Sequence, residues 1–539
     1  MRALAVLLSA AAMLAAVGMA GAAAPREQPR TFHNPIIYAD YSDPDVIRVD
    51  RDYYLVASSF HFSPGIPVLK SRDLVHWSIA AHVLARLPFH PAYDIGLPYS
   101  LTDSISKPVG PGLRYAGGVW APSIRQHDGR FYVYWATPDE GIFMSMAAHP
   151  EGPWSAPVTV LPGPGYEDPC PFWDDDGKAY LVHSRVGAGP IILHAMKPDG
   201  TALLDAGKTI IEDKLALPVL EGPKVYKRNG YYYIFAPFGG VETGGQAVMR
   251  ARSVDGPYEH RVVLTPGNGL NGPHQGGWVD TPSGQGWFVH FNSTGAFGRI
   301  TYLQPVTWKD DWPEMGQAGM PVSTAAYPDS GALSRDRLQD SDEFSSGRLG
   351  LQWSWNHNPD DARWSLTQRR GFMRLGAARA RHLVGARNTL TQILQGPATD
   401  IATRLDIGAL GEGQRAGLVL FGVRAPWIGV VRENGVNFIT YAEGGQETRG
   451  AALAGASIVL RAQVRADQTV QFSYALHARG PFVALGPVTR LARFSWWKGS
   501  RPGLFTYIKA DDDEAKQAGA AGRIVENFVD VDWFRVSRR

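Results

Sequence analysis

A turn followed by a run of aromatic and β-branched residues recurs five times in the first half of the chain: Asp50–Ala57, Asp128–Trp135, Asp176–His183, Asn229–Ala236 and Ser283–His290. Asp-Gly and Asn-Gly supply the positive φ angles of tight hairpin turns, and the residues after them suit a pleated, half-buried strand. A second short strand with a small or polar opening precedes each turn, at Asp43–Arg48, Ala121–Arg125, Asp168–Trp173, Glu221–Tyr226 and His274–Val279. A third follows in four copies, as in Val68–Arg72, Ile142–Met146, Ile192–Met196 and Val248–Arg252. A unit of about 50 residues with several strands cannot bury both faces alone, so the pattern predicts copies packed radially into a five-bladed β-propeller over residues 31–321. The Pro-, Gly- and Ser-rich stretch 84–116 lengthens the first interval and is expected to wall one side of the site.

Register narrows the search for chemistry. Ten residues separate Asp43 from Tyr53, Ala121 from Phe131 and Glu221 from Tyr231, and eleven separate Asp168 from Ala179. These openings are expected to be equivalent and to converge on one mouth of the central channel. Three of the five copies carry a carboxylate there, and the fifth carries His274. Like charges in a funnel repel and are penalised by desolvation, so convergent acids point to function. Taken singly, Asp43 and Asp168 before proline are also turn formers, Glu221 is also a solvated strand end, and Glu167 competes with Asp168 for the active place. Asp45 and Asp174–Asp176 read as strand edge and turn, and Trp77 and Trp154 as blade packing.

Residues 322–339 lose the hydrophobic pattern and read as a linker. Short strands resume in residues 340–539, at Trp364-Ser-Leu, Ala416–Phe421, Trp427–Val431, Val470–Tyr474, Pro502–Tyr507 and Phe528–Phe534. Strands of this number and spacing predict a concanavalin-like, jelly-roll β-sandwich.

Composition agrees with an all-β, ligand-handling chain: 539 residues hold 60 Gly, 39 Pro, 16 Trp, 21 Tyr and 22 Phe. Lys plus Arg exceed Asp plus Glu by 53 − 51 = 2, which implies no polyanion-binding field and argues against nucleic acid as a partner. Met1-Arg2 followed by the apolar Ala3–Ala24 has the form of a secretory signal over residues 1–24, so a secreted or periplasmic protein free of the membrane after cleavage is expected. Cys170 stands alone, which rules out an intrachain disulfide, and no zinc, iron or phosphate-binding spacing occurs.

Four motifs in order and in phase with the blades carry a resemblance. They are Asp43-Pro-Asp-Val, Trp120-Ala-Pro-Ser-Ile-Arg, Glu167-Asp-Pro with the following Asp174-Asp-Asp-Gly-Lys-Ala-Tyr-Leu, and Glu221-Gly-Pro-Lys. Together they resemble glycoside hydrolase family 43 over roughly residues 31–320. The resemblance implies an inverting hydrolase of xylose- or arabinose-containing plant cell-wall chains. It makes Asp43 the general base, Asp168 the orienting, pKa-modulating carboxylate and Glu221 the general acid. It sets Arg299 against the sugar and a catalytic carboxylate. Phe60 and Trp120 become stacking platforms, since sugar C–H faces pack on aromatic rings. His274 is expected near the propeller axis beside substrate, with a structural calcium ion reached through waters; no cofactor is required. Asp342-Glu-Phe, Trp353–Asp361 and Trp364-Ser-Leu resemble the C-terminal sandwich that accompanies xylan-active members. The expected activity is exo-acting β-xylosidase or α-L-arabinofuranosidase. An endo-arabinanase with an open groove and a noncatalytic carbohydrate-binding propeller are the alternatives.

Overall fold

The computed structural model describes residues 30–95, 113–331, 333–510 and 527–538. The signal read at 1–24 and the middle of the 84–116 stretch lie outside the described residues. Five four-stranded antiparallel sheets follow one another in chain order, with innermost strands Asp45–Val49, Trp120–His127, Tyr166–Trp173, Lys224–Arg228 and His274–Asp280. Each pairs with the aromatic-rich strand read from the repeat: Asp52–Val56, Arg130–Thr137, Ala179–Arg185, Tyr231–Phe238 and Gly286–Ser293. The Asp128-Gly129 and Asn229-Gly230 turns have positive φ at both residues, as the sequence pattern requires.

The ring closes by packing between the first and fifth blades. Arg48 pairs with Asp280 at 2.9 Å, and Gly277 lies against the first inner strand, where a Cβ would come within 2.8 Å of Asp45 Oδ1 and 2.9 Å of the Val46 nitrogen. Thr31–His33 pairs with Thr324–Ala326, and Asn34 Nδ2 donates to the Leu303 and Val322 carbonyls at 2.8 Å each. The stretch read as a linker therefore begins as part of the propeller rim. Its end is fastened too: the Gln339 side chain accepts from the Ile79 nitrogen and donates to the Ile79 carbonyl. Trp77 is buried with Nε1 donating to the Leu74 carbonyl, and Trp154 packs on the cluster between blades one and two, both as expected.

The second half is a sandwich of a nine-stranded and an eight-stranded sheet. In Gln414–Phe421 every residue is buried, because the two faces of this strand serve different cores. Leu418 and Leu420 point into the sandwich with Ile428, Val430 and Leu504, whereas Val419 and Phe421 meet Ile95, Leu113, Tyr115 and Ala116 of the propeller. The described ends of the 84–116 stretch thus pack on the sandwich. Phe62–Ser63, a two-residue strand within blade one, pairs with Ser354–Asn356 and completes the sandwich's larger sheet.

The pairing also corrects the register inferred from sequence. In blades two, three and five the ladder slips by one residue at the start of the inner strand, and in blades one and four the hydrogen bonds from Ser58 N to Ser42 O and from Glu221 N to Pro237 O are out of register by one in the same way, each a β-bulge with a left-handed residue at Asp43, Ala121, Asp168, Gly222 or Gln275. Asp43 and Asp168 are equivalent. Glu221 and His274 stand one residue earlier, level with Ser42, Trp120 and Glu167. The miscount lies in the reference residue: Tyr53 and Phe131 pair with Arg48 and Gln126, one place beyond the turn, whereas Tyr231 pairs with Arg228 directly at the turn, so ten residues back from it falls one short of the equivalent Gly222.

Candidate active site

The bulges decide where the acids point. Asp tolerates the left-handed region better than most residues, so Asp43 (φ 55°) and Asp168 (φ 58°) turn their side chains across the channel mouth. They line a cavity of about 370 Å³ together with Glu167, Glu221, Phe60, Trp120, Gln275 and Arg299. The three sequence-predicted carboxylates, Arg299 and both aromatic platforms are therefore brought together. The exception is His274: it lies beneath the cavity, wholly buried, and reaches Glu221 Oε1 at 3.2 Å through Nε2. Its expected contact with substrate is replaced by one with a carboxylate. Glu221 is the only carboxylate within 4.0 Å of His274 among the described residues. One carboxylate and one imidazole supply two of the about six to eight ligands that calcium takes, so an ion at His274 would draw the rest from water.

Each acid has a different surrounding. Asp43 accepts from Arg299 Nη1 at 2.7 Å and from the Ser58 hydroxyl at 2.5 Å, which fixes both oxygens of its carboxylate. Asp168 Oδ2 accepts from the Gly222 nitrogen at 2.7 Å and the Ser184 hydroxyl at 3.4 Å. Burial first, then the neighbouring Glu221, pushes Asp168 up to about 7, against the opposing pull of Lys224. Glu167 is pushed up further, by burial and then by Asp168 and Glu221. Oxygen atoms of Glu167, Asp168 and Glu221 lie within 4.8 Å of one another, close enough for charge on one to raise the cost of charge on its neighbours. Carboxyl groups that favour the protonated form, Asp168 and Glu167, thus crowd Glu221 on one side of the cavity, while an arginine fixes Asp43 on the other.

The second domain contributes a wall that the blade repeat could not reveal. Ser495 and Lys498 close a two-residue turn through paired backbone hydrogen bonds of 2.7 and 2.9 Å, with Trp496 (φ 52°) and Trp497 (φ 66°) at its centre. Such turns favour Asn-Gly, and a bulky residue in the left-handed region costs about 1–3 kcal/mol. The turn is held from both sides: Trp496 stacks on Tyr115 at 4.1 Å, and Lys498 Nζ donates to the Ser42 and Ser58 oxygens at 3.1 and 3.0 Å. Trp497 thereby lines the cavity, edge-on to Trp120 at 6.2 Å and 5.8 Å from the Arg299 guanidinium. The only sequence signal for it was an aromatic pair, Phe494-Ser-Trp-Trp-Lys-Gly, in a loop of the second domain.

Residues 32–313 match the family described as Glycosyl hydrolases family 43. The chain belongs to glycosyl hydrolases family 43. Residues 341–537 of this family 43 enzyme match the Beta xylosidase C-terminal Concanavalin A-like domain. A Xylanibacter ruminicola protein is 46% identical over 384 residues, 70% of this chain and 68% of the relative. The beta-xylosidase of Formosa agariphila is 32% identical over 94% of this chain and 90% of its own length. Among solved structures, the bifunctional GH43-CE protein of Bacteroides eggerthii has a TM-score of 0.82 at 30% identity and covers 95% of this chain, which spans 64% of that protein. Membership makes the carboxylate-lined cavity of this family 43 glycoside hydrolase its candidate active site.

Proposed function

We propose that this enzyme releases single xylose or arabinose units from the ends of xylo-oligosaccharides or arabinoxylan, with inversion at the anomeric carbon. In this reading Glu221 protonates the departing glycosidic oxygen while Asp43 takes a proton from the water that attacks the opposite face of the sugar. The water oxygen bonds to the anomeric carbon as the bond to the leaving oxygen breaks, and both protons are accounted for. Arg299 holds Asp43 in place, and Asp168, accepting from the backbone beside Glu221, orients the acid and disfavours a second negative charge next to it. The observation that carries the exo reading is the wall that Trp497 of the sandwich adds to the pocket, edge-on to Trp120 and continuous with Phe60. A volume of about 370 Å³ is at the small end of ligand pockets and suits an end-on sugar better than a chain passing through. An endo-acting arabinanase needs a groove open at both ends, which this wall opposes. The names of relatives support the sugar class: one is a beta-xylosidase, and a Bacteroides ovatus protein, 34% identical over 64% of this chain, is a non-reducing end alpha-L-arabinofuranosidase.

Hydrolysis of aryl β-xylopyranoside, aryl α-L-arabinofuranoside and linear arabinan tests the proposal, with NMR of the first anomer released. One or both aryl pentosides are expected to be cleaved with inversion, and arabinan left uncut internally. Glu221→Gln and Asp43→Asn are each expected to lower kcat by about 10²–10⁴ with native circular dichroism; rapid turnover by either variant would rule out its role as acid or base. Export through the signal at residues 1–24 belongs to the same proposal and is checked by N-terminal sequencing of the mature protein.

A further inference from the structure

Among the carboxyl groups of the pocket, Glu167 has no part in the chemistry just described. Its place in the fold is nevertheless that of Glu221: both stand immediately before the left-handed bulge residue of their inner strand, Glu167 in the third blade and Glu221 in the fourth. The second blade carries Trp120 at this level, and Trp120 and Glu221 both line the cavity, whereas His274 of the fifth blade lies beneath it. Glu167 lines the cavity while only 4% exposed.

We infer that Glu167 is a fourth carboxyl group of this active site, a specificity-determining residue that donates a hydrogen bond to a hydroxyl of the sugar lying over Asp168 and Glu221. Only one of its oxygens is engaged by the protein: Oε1 accepts from the Ala188 nitrogen at 3.1 Å, and Oε2 has no hydrogen-bond partner among the described residues. Among the described residues no cation pairs with it. Arg299 is bound to Asp43, Lys498 to Asp40, Ser42 and Ser58, and Lys224 Nζ donates to the Ser123 hydroxyl at 2.8 Å. A buried carboxyl with two acidic neighbours and no counterion keeps its proton. With one oxygen already accepting from the backbone, the O–H is left as a donor aimed at the cavity. Sugar hydroxyls accept as readily as they donate, so a neutral carboxylic acid can hold one without adding a third negative charge beside the general acid. Fastening the Val186–Ala188 loop, the purely structural use of Glu167, occupies Oε1 and leaves Oε2 unexplained.

The inference rests on the pocket receiving one sugar unit, and the experiment separates the two. Wild type, Glu167→Gln, Glu167→Ala and Glu167→Met are compared on the aryl glycoside that wild type hydrolyses best, with KM, kcat and Tm measured for each. If wild type cleaves neither pentoside, the proposed sugar class fails on its own, and the variants are compared on whichever glycoside it does cleave. Glu167→Gln keeps a neutral donor and an acceptor for the Ala188 nitrogen and is expected to stay within about threefold of wild type in KM, whereas the Ala and Met variants raise KM about tenfold or more, the loss of one good hydrogen bond. Wild-type KM in the Ala or Met variant, with or without a fall in Tm, overturns the inference by leaving only the loop-fastening role. Glu167→Gln as impaired as Glu167→Ala also overturns it, since a charge rather than a donor would then be required. Glu167→Gln carries the test if the truncating variants do not fold.

Discussion

Asp168 shows at the level of one residue how function is set against stability. Its carboxyl is buried, faces Glu221 and is raised to about 7, whereas an unfolded Asp titrates near 3.9. Between these values the native state binds more protons than the unfolded chain, so this group's contribution to stability is lost as pH rises from about 4 to about 7. Asn at this position still accepts from the Gly222 nitrogen but carries no charge. Asp168→Asn is therefore expected to melt about 3 °C above wild type at pH 8, to show little difference at pH 4.5, and to lose most of its activity at both. Calorimetry at the two pH values checks it; equal Tm gains at both would place the effect elsewhere than in ionisation.

At the scale of single elements, the Ser495–Lys498 turn does two separable things. Trp497 supplies a wall, and Lys498 ties the segment carrying Asp40, Ser42 and Asp43 to Ser58, whose hydroxyl donates to Asp43. Trp497→Ala is expected to raise KM about tenfold, the scale of one lost aromatic contact, with kcat changed less. Lys498→Met removes one partner of a buried ion pair with Asp40 and is expected to cost about 3–5 kcal/mol, seen as a lowered urea midpoint, and to reduce kcat because the base loses its fixed position. A Lys498→Met enzyme with wild-type kcat and midpoint would show that the sandwich does not hold the base. The repeat made the blades and Asp43, Asp168 and Glu221 legible because each blade is a local hairpin with its own turn chemistry. The turn carrying Trp497 follows no repeat, and its residues contradict the Asn-Gly preference of such turns; contacts distant in sequence, among them those with Tyr115, Asp40, Ser42 and Ser58, hold it there.

For the whole molecule, the sandwich is part of the enzyme rather than an appendage. Its larger sheet has one face on the sandwich core and the other on Ile95, Leu113, Tyr115 and Ala116, and a strand of blade one, Phe62–Ser63, completes it. Deleting residues 341–537 exposes this apolar surface and removes Trp497 and Lys498 together. The truncated chain is expected to be recovered in less than about a tenth of the soluble yield, with no turnover above that of Glu221→Gln, measured by size exclusion and aryl pentoside assay. A soluble, active propeller would show that the interface is dispensable to both folding and catalysis. The sequence by itself determined the five blades, the sandwich and the presence of acids at the channel mouth, because turn residues and strand-forming runs act over a few residues and repeat. Tertiary structure alone decided that His274 lies under the acid and that the second domain walls the pocket. Domain packing is set by partners far along the chain, and nothing local in the sequence encodes it.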